Sequence, residues 1–201
     1  MATAFFYGTL MHPKILQRVI GNDGSHLEIC PALLMDFTRH HVKHADYPAI
    51  VPYERSKGVL LTHDLSPEEK SVRGTLVSGL TPSDIELLDI FEGNEYIREE
   101  ISVHPLGSFA PLASLNIPKD DISIVPTTPP PIPDPSQLPK PLHAQTYVWA
   151  KNVATTLDKR LWSFDEFVRQ NAWKWVGKDS GDNEDYKEVD RRRAMGGEII
   201  P

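Results

Sequence analysis

The chain has 201 residues, 40% of them apolar and 24% charged, with a net charge of −7. That is enough for one well-buried core and short for two, and the acidic balance argues against nucleic acid as a partner, because phosphate recognition needs a concentrated basic surface. A single cysteine, Cys30, excludes an intrachain disulfide and fits a reducing interior, and no window approaches the roughly 20 apolar residues of a membrane span, so a soluble, cytoplasmic protein is expected.

Residues 3–7 are aromatic-rich with little alternation, which predicts a buried strand, and Gly8 permits a sharp turn after it. His12-Pro13 then starts a helix with proline at its first position. Ile15, Leu16, Val19 and Ile20 form its apolar face, and Gly21 stops it. Two strands follow, Leu27–Phe37 and His40–Lys43, and then an extended Tyr47–Pro52 whose prolines indicate an edge or a bulge. Ser71–Val77 is another strand, and Gly74 inside it marks a close backbone approach or a barrel bend.

The next helix carries the clearest punctuation. Thr81 is its N-cap, Pro82 its first residue, Asp84 stands three after the cap, and Gly93 closes it. Tyr96–His104 reads as a partly exposed strand. Eleven of the 18 prolines fall between Pro105 and Pro141, so this insertion cannot hold a regular hydrogen-bonded element for long. Ala144–Ala150 resumes the sheet, and Trp162–Trp175 predicts an amphipathic helix capped by Ser163 or Asp165. One domain over 1–177, with the 105–141 insertion, and a polar tail over 178–201 are expected.

Two segments carry chemistry. Ile85, Leu88 and Glu92 are spaced i, i+3, i+7, which turns a carboxylate toward the same face as two aliphatic anchors while Glu86 and Asp89 lie toward the other side. In that place the helix dipole and desolvation both raise a carboxyl pKa, which suits a proton acceptor working near neutrality. A helix that ends early instead leaves Glu92 as an ordinary surface acid. The amides of residues 8–11, just ahead of a helix start, form a concavity for a carboxylate or an oxyanion, or simply a turn with nothing bound. Neither G-x-G-x-x-G nor a Gly-Lys-Ser/Thr phosphate loop occurs.

Tyr7-Gly8-Thr9-Leu10, Tyr47-Pro48-Ala49-Ile50, Val72-Arg73-Gly74-Thr75-Leu76 and Leu88-Asp89-Ile90-Phe91-Glu92-Gly93 with Tyr96 and Arg98 together resemble the gamma-glutamylcyclotransferase-like (AIG2-like) family. The resemblance covers about residues 3–104 and returns at Thr146-Tyr147-Val148-Trp149. It implies an α+β fold built on a partly closed mixed β-barrel with flanking helices. It also implies a metal-independent, cofactor-free lyase or acyltransferase whose small-molecule partner is a gamma-glutamyl amine or peptide and whose product is 5-oxoproline. The family's catalytic glutamate carries over onto Glu92, its loop onto Tyr7, Gly8, Thr9 and Leu10, and a pocket tyrosine onto Tyr96. The Pro-rich insertion departs from the compact pattern, at the point where it can alter the pocket mouth.

Other constellations are weaker. His40, His41 and His44 on a strand lack a strong ligand geometry and are expected to be solvated. Cys30 lies in an apolar strand, where a thiol is buried and inert, and neither Ser163 nor Ser180 has a nucleophile-elbow context. Two alternatives stand beside the cyclotransferase reading. One uses the same pocket for another proton-transfer or ring-closing step, and the other is a non-enzymatic ligand-binding or interaction module built on the proline run.

Overall fold

The computed structural model describes residues 1–163, except 46, 62 and 115–130, together with residue 166. Along the chain run β1 (Ala2–Phe6), a 3-10 turn (Thr9–Met11), α1 (Pro13–Ile20), β2 (Glu28–Met35), β3 (Phe37–Val42), β4 (Pro48–Pro52), α2 (Tyr53–Ser56) and β5 (Ser71–Leu80). Then follow α3 (Pro82–Glu92), β6 (Tyr96–Pro105), β7 (Ala110–Pro111), β8 (Leu142–Trp149), α4 (Val153–Thr156) and β9 (Leu157–Leu161).

Strands β5, β1, β8, β6 and β2 pair in that order and β2 pairs back onto β5, so five strands close a barrel, with β7 attached beside β2. Only β1–β8 is parallel among these pairs. The closure is uneven. β2–β5 and β6–β8 each align eight residue pairs, whereas β1–β8 meet only at Ala4↔Gln145 and β2–β6 only at two positions. A second sheet, β4-β3-β9, stands beside the barrel with β4 at its edge, where prolines at 48 and 52 lose no ladder bond.

Alternation sorts the core into two clusters. Phe5 and Tyr7 join Cys30, Ala32 and Leu34 of β2 and Val72 and Leu76 of β5, whereas Ala4 and Phe6 pack with Ile15 and Val19 of α1 and Leu88 and Phe91 of α3. β1 is therefore covered on both faces, which is why it reads as a nearly continuous apolar run. Gly74 is required by the β1–β5 pairing. A Cβ there stands 2.3 Å from the Phe6 carbonyl oxygen and 2.5 Å from the Phe5 ring.

Both main helices begin and end on capping chemistry. The His12 imidazole Nδ1 accepts from the Lys14 amide (3.2 Å), and Gly21 ends α1 at φ 71°, a left-handed conformation. At α3 the Asp84 amide donates to the Thr81 hydroxyl oxygen while the Thr81 amide donates back to Asp84 Oδ2, closing a capping box.

Three sequence expectations need correction. The chain breaks between β2 and β3 at Asp36, which sits at φ 60°, rather than around residues 38 and 39; aspartate tolerates that conformation better than most residues. His40 is fully buried, not solvated. β3 alternates so that Thr38, His40 and Val42 face inward, and the imidazole bridges the Thr38 hydroxyl (2.9 Å) and the Asp158 carbonyl (3.0 Å). β9, the partner that supplies that carbonyl, is absent from the sequence reading, because Asp158-Lys159-Arg160 carries no apolar periodicity.

Within the Pro-rich stretch only the two-residue β7 and the 3-10 turns at 112–114 and 135–137 are regular among the described residues. The segment 115–130, the expected helix beyond Ser163 apart from Glu166, and the 178–201 tail lie outside the described residues. Among the described residues, no helix is long and apolar enough to cross a membrane.

Candidate functional site

The C-terminal end of β1 and the C-terminal end of α3 meet at one pocket. It is lined by Phe5, Phe6, Tyr7, Gly8, Thr9, Leu10, Tyr47, Pro48, Phe91, Glu92, Tyr96 and Tyr147. All six residues singled out in the sequence, Tyr7, Gly8, Thr9, Leu10, Glu92 and Tyr96, are on this wall. Helical phase brings Glu92 there: Ile85 and Leu88 are buried against the core, and Glu92 follows them half-buried at the last turn.

The loop that lines the pocket with Glu92 is shaped by backbone bonds. The Met11 amide donates to the Gly8 carbonyl and the His12 amide to the Thr9 carbonyl, both at 3.0 Å. Met11 is thereby removed from the expected donor set, whereas the amides of Gly8, Thr9 and Leu10 find no protein acceptor among the described residues. Gly8 has a packing reason to lack a side chain. A Cβ there lies 2.9 Å from Cγ of Pro48, so the edge of β4 presses directly on the loop.

Arg39 holds the loop from behind. Its Nη1 donates to the Tyr7 carbonyl (2.6 Å) and the Arg73 carbonyl (3.1 Å), its Nε donates to the Trp162 carbonyl (3.3 Å), and its guanidinium lies 4.8 Å from the centroid of the Trp162 ring. In a trans peptide the N–H points opposite the C=O, so this grip aims the Gly8 amide away from Arg39.

Three phenols crowd Glu92, and each directs its one proton to a protein acceptor. Tyr7 donates to the Tyr147 carbonyl (2.6 Å), Tyr96 to the Pro48 carbonyl (2.9 Å), and Tyr147 to Asp89 Oδ1 (2.8 Å). Tyr96 also meets the Trp149 ring edge-on, with centroids 5.1 Å apart. Burial and then the Glu92 charge push the Tyr7 phenol well above its ordinary pKa; burial, Tyr7 and Glu92 do the same to Tyr96. Tyr147 is raised by burial, Glu92 and the Asp89 hydrogen bond. All three therefore stay neutral near pH 7 and none can serve as a base there.

Sequence reasoning did not identify Tyr147, Tyr47, Pro48, Arg39 or the aromatic floor of Phe5, Phe6 and Phe91 as parts of this site. Tyr47, Pro48 and Tyr147 lay inside quoted motifs, so a signal existed; Arg39 left none, because its role depends on the docking of the second sheet onto the barrel. Among the described residues, no group of three or more His, Cys, Asp or Glu side chains could hold a metal ion. The arrangement joins one carboxylate, four phenol oxygens whose protons are directed elsewhere, and a loop of amide donors. Such a pocket suits a small molecule with an ammonium group near a carboxylate or a polarised carbonyl.

A family model described as Gamma-glutamyl cyclotransferase, AIG2-like matches residues 4–113. AIG2-like protein D of Arabidopsis thaliana is 30% identical over 103 residues, 51% of this chain and 57% of that protein. AIG2-like protein A of the same organism is 30% identical over 99 residues, 49% of this chain and 50% of that protein. The chain thus spans about half the length of the curated relatives it matches. Among solved structures, a yeast gamma-glutamyl cyclotransferase specific to glutathione is 16% identical with a TM-score of 0.46, covering 96% of this chain and 87% of its own. The match of the family model to more than half of the chain, over a stretch that holds the Tyr7–Leu10 loop, Glu92 and Tyr96, shows that the chain belongs to the gamma-glutamyl cyclotransferase, AIG2-like family.

Proposed function

We propose that the protein cyclises a gamma-glutamyl amine or peptide, releasing 5-oxoproline and a free amine, with Glu92 as the proton carrier. The observation that carries this reading is that Glu92 is, among the described residues, the only carboxylate lining a pocket that the Tyr7–Leu10 amide loop also lines.

The reaction needs little more than that carboxylate and that loop. Glu92 takes a proton from the substrate α-ammonium, and the freed amine attacks the γ-carbonyl carbon, forming the C–N bond of a five-membered ring. The carbonyl electron pair moves onto oxygen; when the resulting oxyanion collapses, the original C–N bond breaks, Glu92 returns the proton to the departing nitrogen, and the second proton that the ring nitrogen sheds leaves with the released amine as its ammonium. No water is consumed, and no covalent enzyme intermediate, metal or cofactor enters. The amides of Gly8, Thr9 and Leu10 serve the α-carboxylate or the developing oxyanion, a kind of donor worth about 10²–10³ in rate where it acts on the transition state. Because nucleophile and electrophile belong to one molecule, held geometry supplies much of the acceleration, and a positioned acid–base group adds about 10²–10⁴.

The test is to incubate the protein with a panel of gamma-glutamyl amines and peptides and to assay 5-oxoproline. Release from at least one compound, lost in Glu92→Gln, is the expected result. Silence across the panel contradicts the substrate class, whereas equal turnover by Glu92→Gln contradicts the role of Glu92.

A further inference from the structure

Asp89 and Arg98 belong to the same motif as Glu92, yet the proton transfer uses neither. Arg98 stands directly opposite Tyr147 in the β6–β8 ladder, so their side chains share a face of the sheet. Asp89 lies one turn before Glu92 on α3 and reaches that face, not the other side of the helix expected for it, because i, i+3 neighbours share a side. Arg98 grips it at two points, Nε to Oδ1 (2.9 Å) and Nη2 to Oδ2 (3.2 Å), while its Nη1 donates to Gln145 (2.7 Å). The Tyr147 hydroxyl donates to the same Oδ1 at 2.8 Å, and Tyr147 lines the pocket together with Glu92.

A phenol carries one proton and two acceptor lone pairs, so the partner that takes the proton decides what the oxygen offers to its other neighbours. Tyr7 and Tyr96 send their protons to backbone carbonyls, which the fold itself fixes. Tyr47 sends its proton to Glu95 (3.1 Å), and Arg39 lies behind the loop at the Tyr7 carbonyl. Of the tyrosines that line the pocket, Tyr47 and Tyr147 take their orientation from a carboxylate, and that of Tyr147 is itself gripped by Arg98.

We infer that Asp89, gripped by Arg98, is a positioning residue: it draws the Tyr147 proton out of the pocket, so that the phenol oxygen accepts from the substrate α-ammonium and does not donate to Glu92. The inference rests on the reading of Glu92 as proton carrier. A phenol donor on Glu92 stabilises its ionised form and weakens it as a base. Holding that donor away, Asp89 keeps Glu92 basic and adds a second acceptor for the ammonium.

The test uses two readouts on the full chain. The first is a ¹³C NMR titration of the Glu92 carboxyl, assigned by its disappearance in Glu92→Gln, which needs no turnover. Asp89→Ser is expected to lower the Glu92 midpoint by about one unit, because the released phenol can turn to Glu92 and a nearby negative charge is lost. In a Tyr147→Phe background the same substitution is expected to give less than half that shift. Asp89→Asn, of nearly the same size, provides a second variant with the same direction should Asp89→Ser fold poorly. The second readout is the pH profile of 5-oxoproline release, whose acid limb should move down with the Glu92 midpoint while kcat falls about tenfold. Equal shifts in both backgrounds, or no shift, overturn the positioning role. If the NMR coupling holds while no gamma-glutamyl compound reacts, the role of Asp89 stands and the substrate reading fails.

Discussion

Tyr7, Tyr96 and Tyr147 stand around one carboxylate, and their protons govern how the pocket responds to pH. Each is held neutral in the fold, by burial first and by charge second. Since folding raises their pKa values, their contribution to stability is complete below the ordinary phenol value near 10 and is lost as pH rises past it. An absorbance titration should therefore show these three tyrosines ionising only together with alkaline unfolding, rather than as independent groups at about pH 10. Ionisation of all six tyrosines at their ordinary value in folded protein contradicts the burial described here. Gly8 offers a second test. Gly8→Ala puts a methyl 2.9 Å from Pro48 and should cost about 1–3 kcal/mol in denaturant melts, with a rise in KM as the amide loop moves. At this scale helical phase, which is local, already turned Glu92 toward the pocket, whereas the placement of Arg39 and Tyr147 depends on strand register.

Elements were legible where their ends carry chemistry. Thr81, Pro82, Asp84 and Gly93 bracket α3, and the structure adds what spacing alone could not supply: Asp84 is buried and also accepts from Asn22 (2.9 Å) and contacts His26 (3.0 Å), which ties α3 to the turn after α1. Burial pushes the Asp84 carboxyl up, but the Thr81 amide, His26, the Thr81 hydroxyl and Asn22 outweigh it and hold the carboxyl below its usual value. A depressed carboxyl contributes stability above its unfolded pKa near 4 and loses it as pH falls through the folded value. Asp84→Ala should therefore destabilise by about 1–3 kcal/mol at neutral pH, and by clearly less at pH 3, in paired urea titrations. An equal loss at both values contradicts an ionised cap. Gly74→Ala should be harsher than Gly8→Ala, because its methyl meets the backbone oxygen of Phe6 at 2.3 Å rather than a ring that can yield. The Asp36 break and β9 escaped the sequence reading for a common reason: one depends on a single left-handed aspartate and the other on a polar strand recognisable only by its partner.

At the scale of the molecule, the barrel explains why the site is assembled from such distant positions. β1 runs between β5 and β8 and delivers Tyr7 and Gly8 to one end; β4 of the second sheet brings Pro48 onto the loop; β6 and β8 present Tyr96 and Tyr147; and α3 closes the ring with Glu92. Binary pattern can identify each strand, but it does not show that β1–β8 and β2–β6 close the barrel through seams of one and two residue pairs. The resemblance of the quoted motifs supplied that architecture, and the pairings give it physical form. The central claim is that one carboxylate at this end moves the proton from the substrate amine to the leaving nitrogen. Its most direct test is the single-turnover rate of 5-oxoproline formation from a saturating gamma-glutamyl amide, compared between the wild-type chain and a folded Glu92→Gln variant. A loss of about 10²–10⁴ with little change in binding is expected. A rate within about threefold of wild type, against that span, contradicts it.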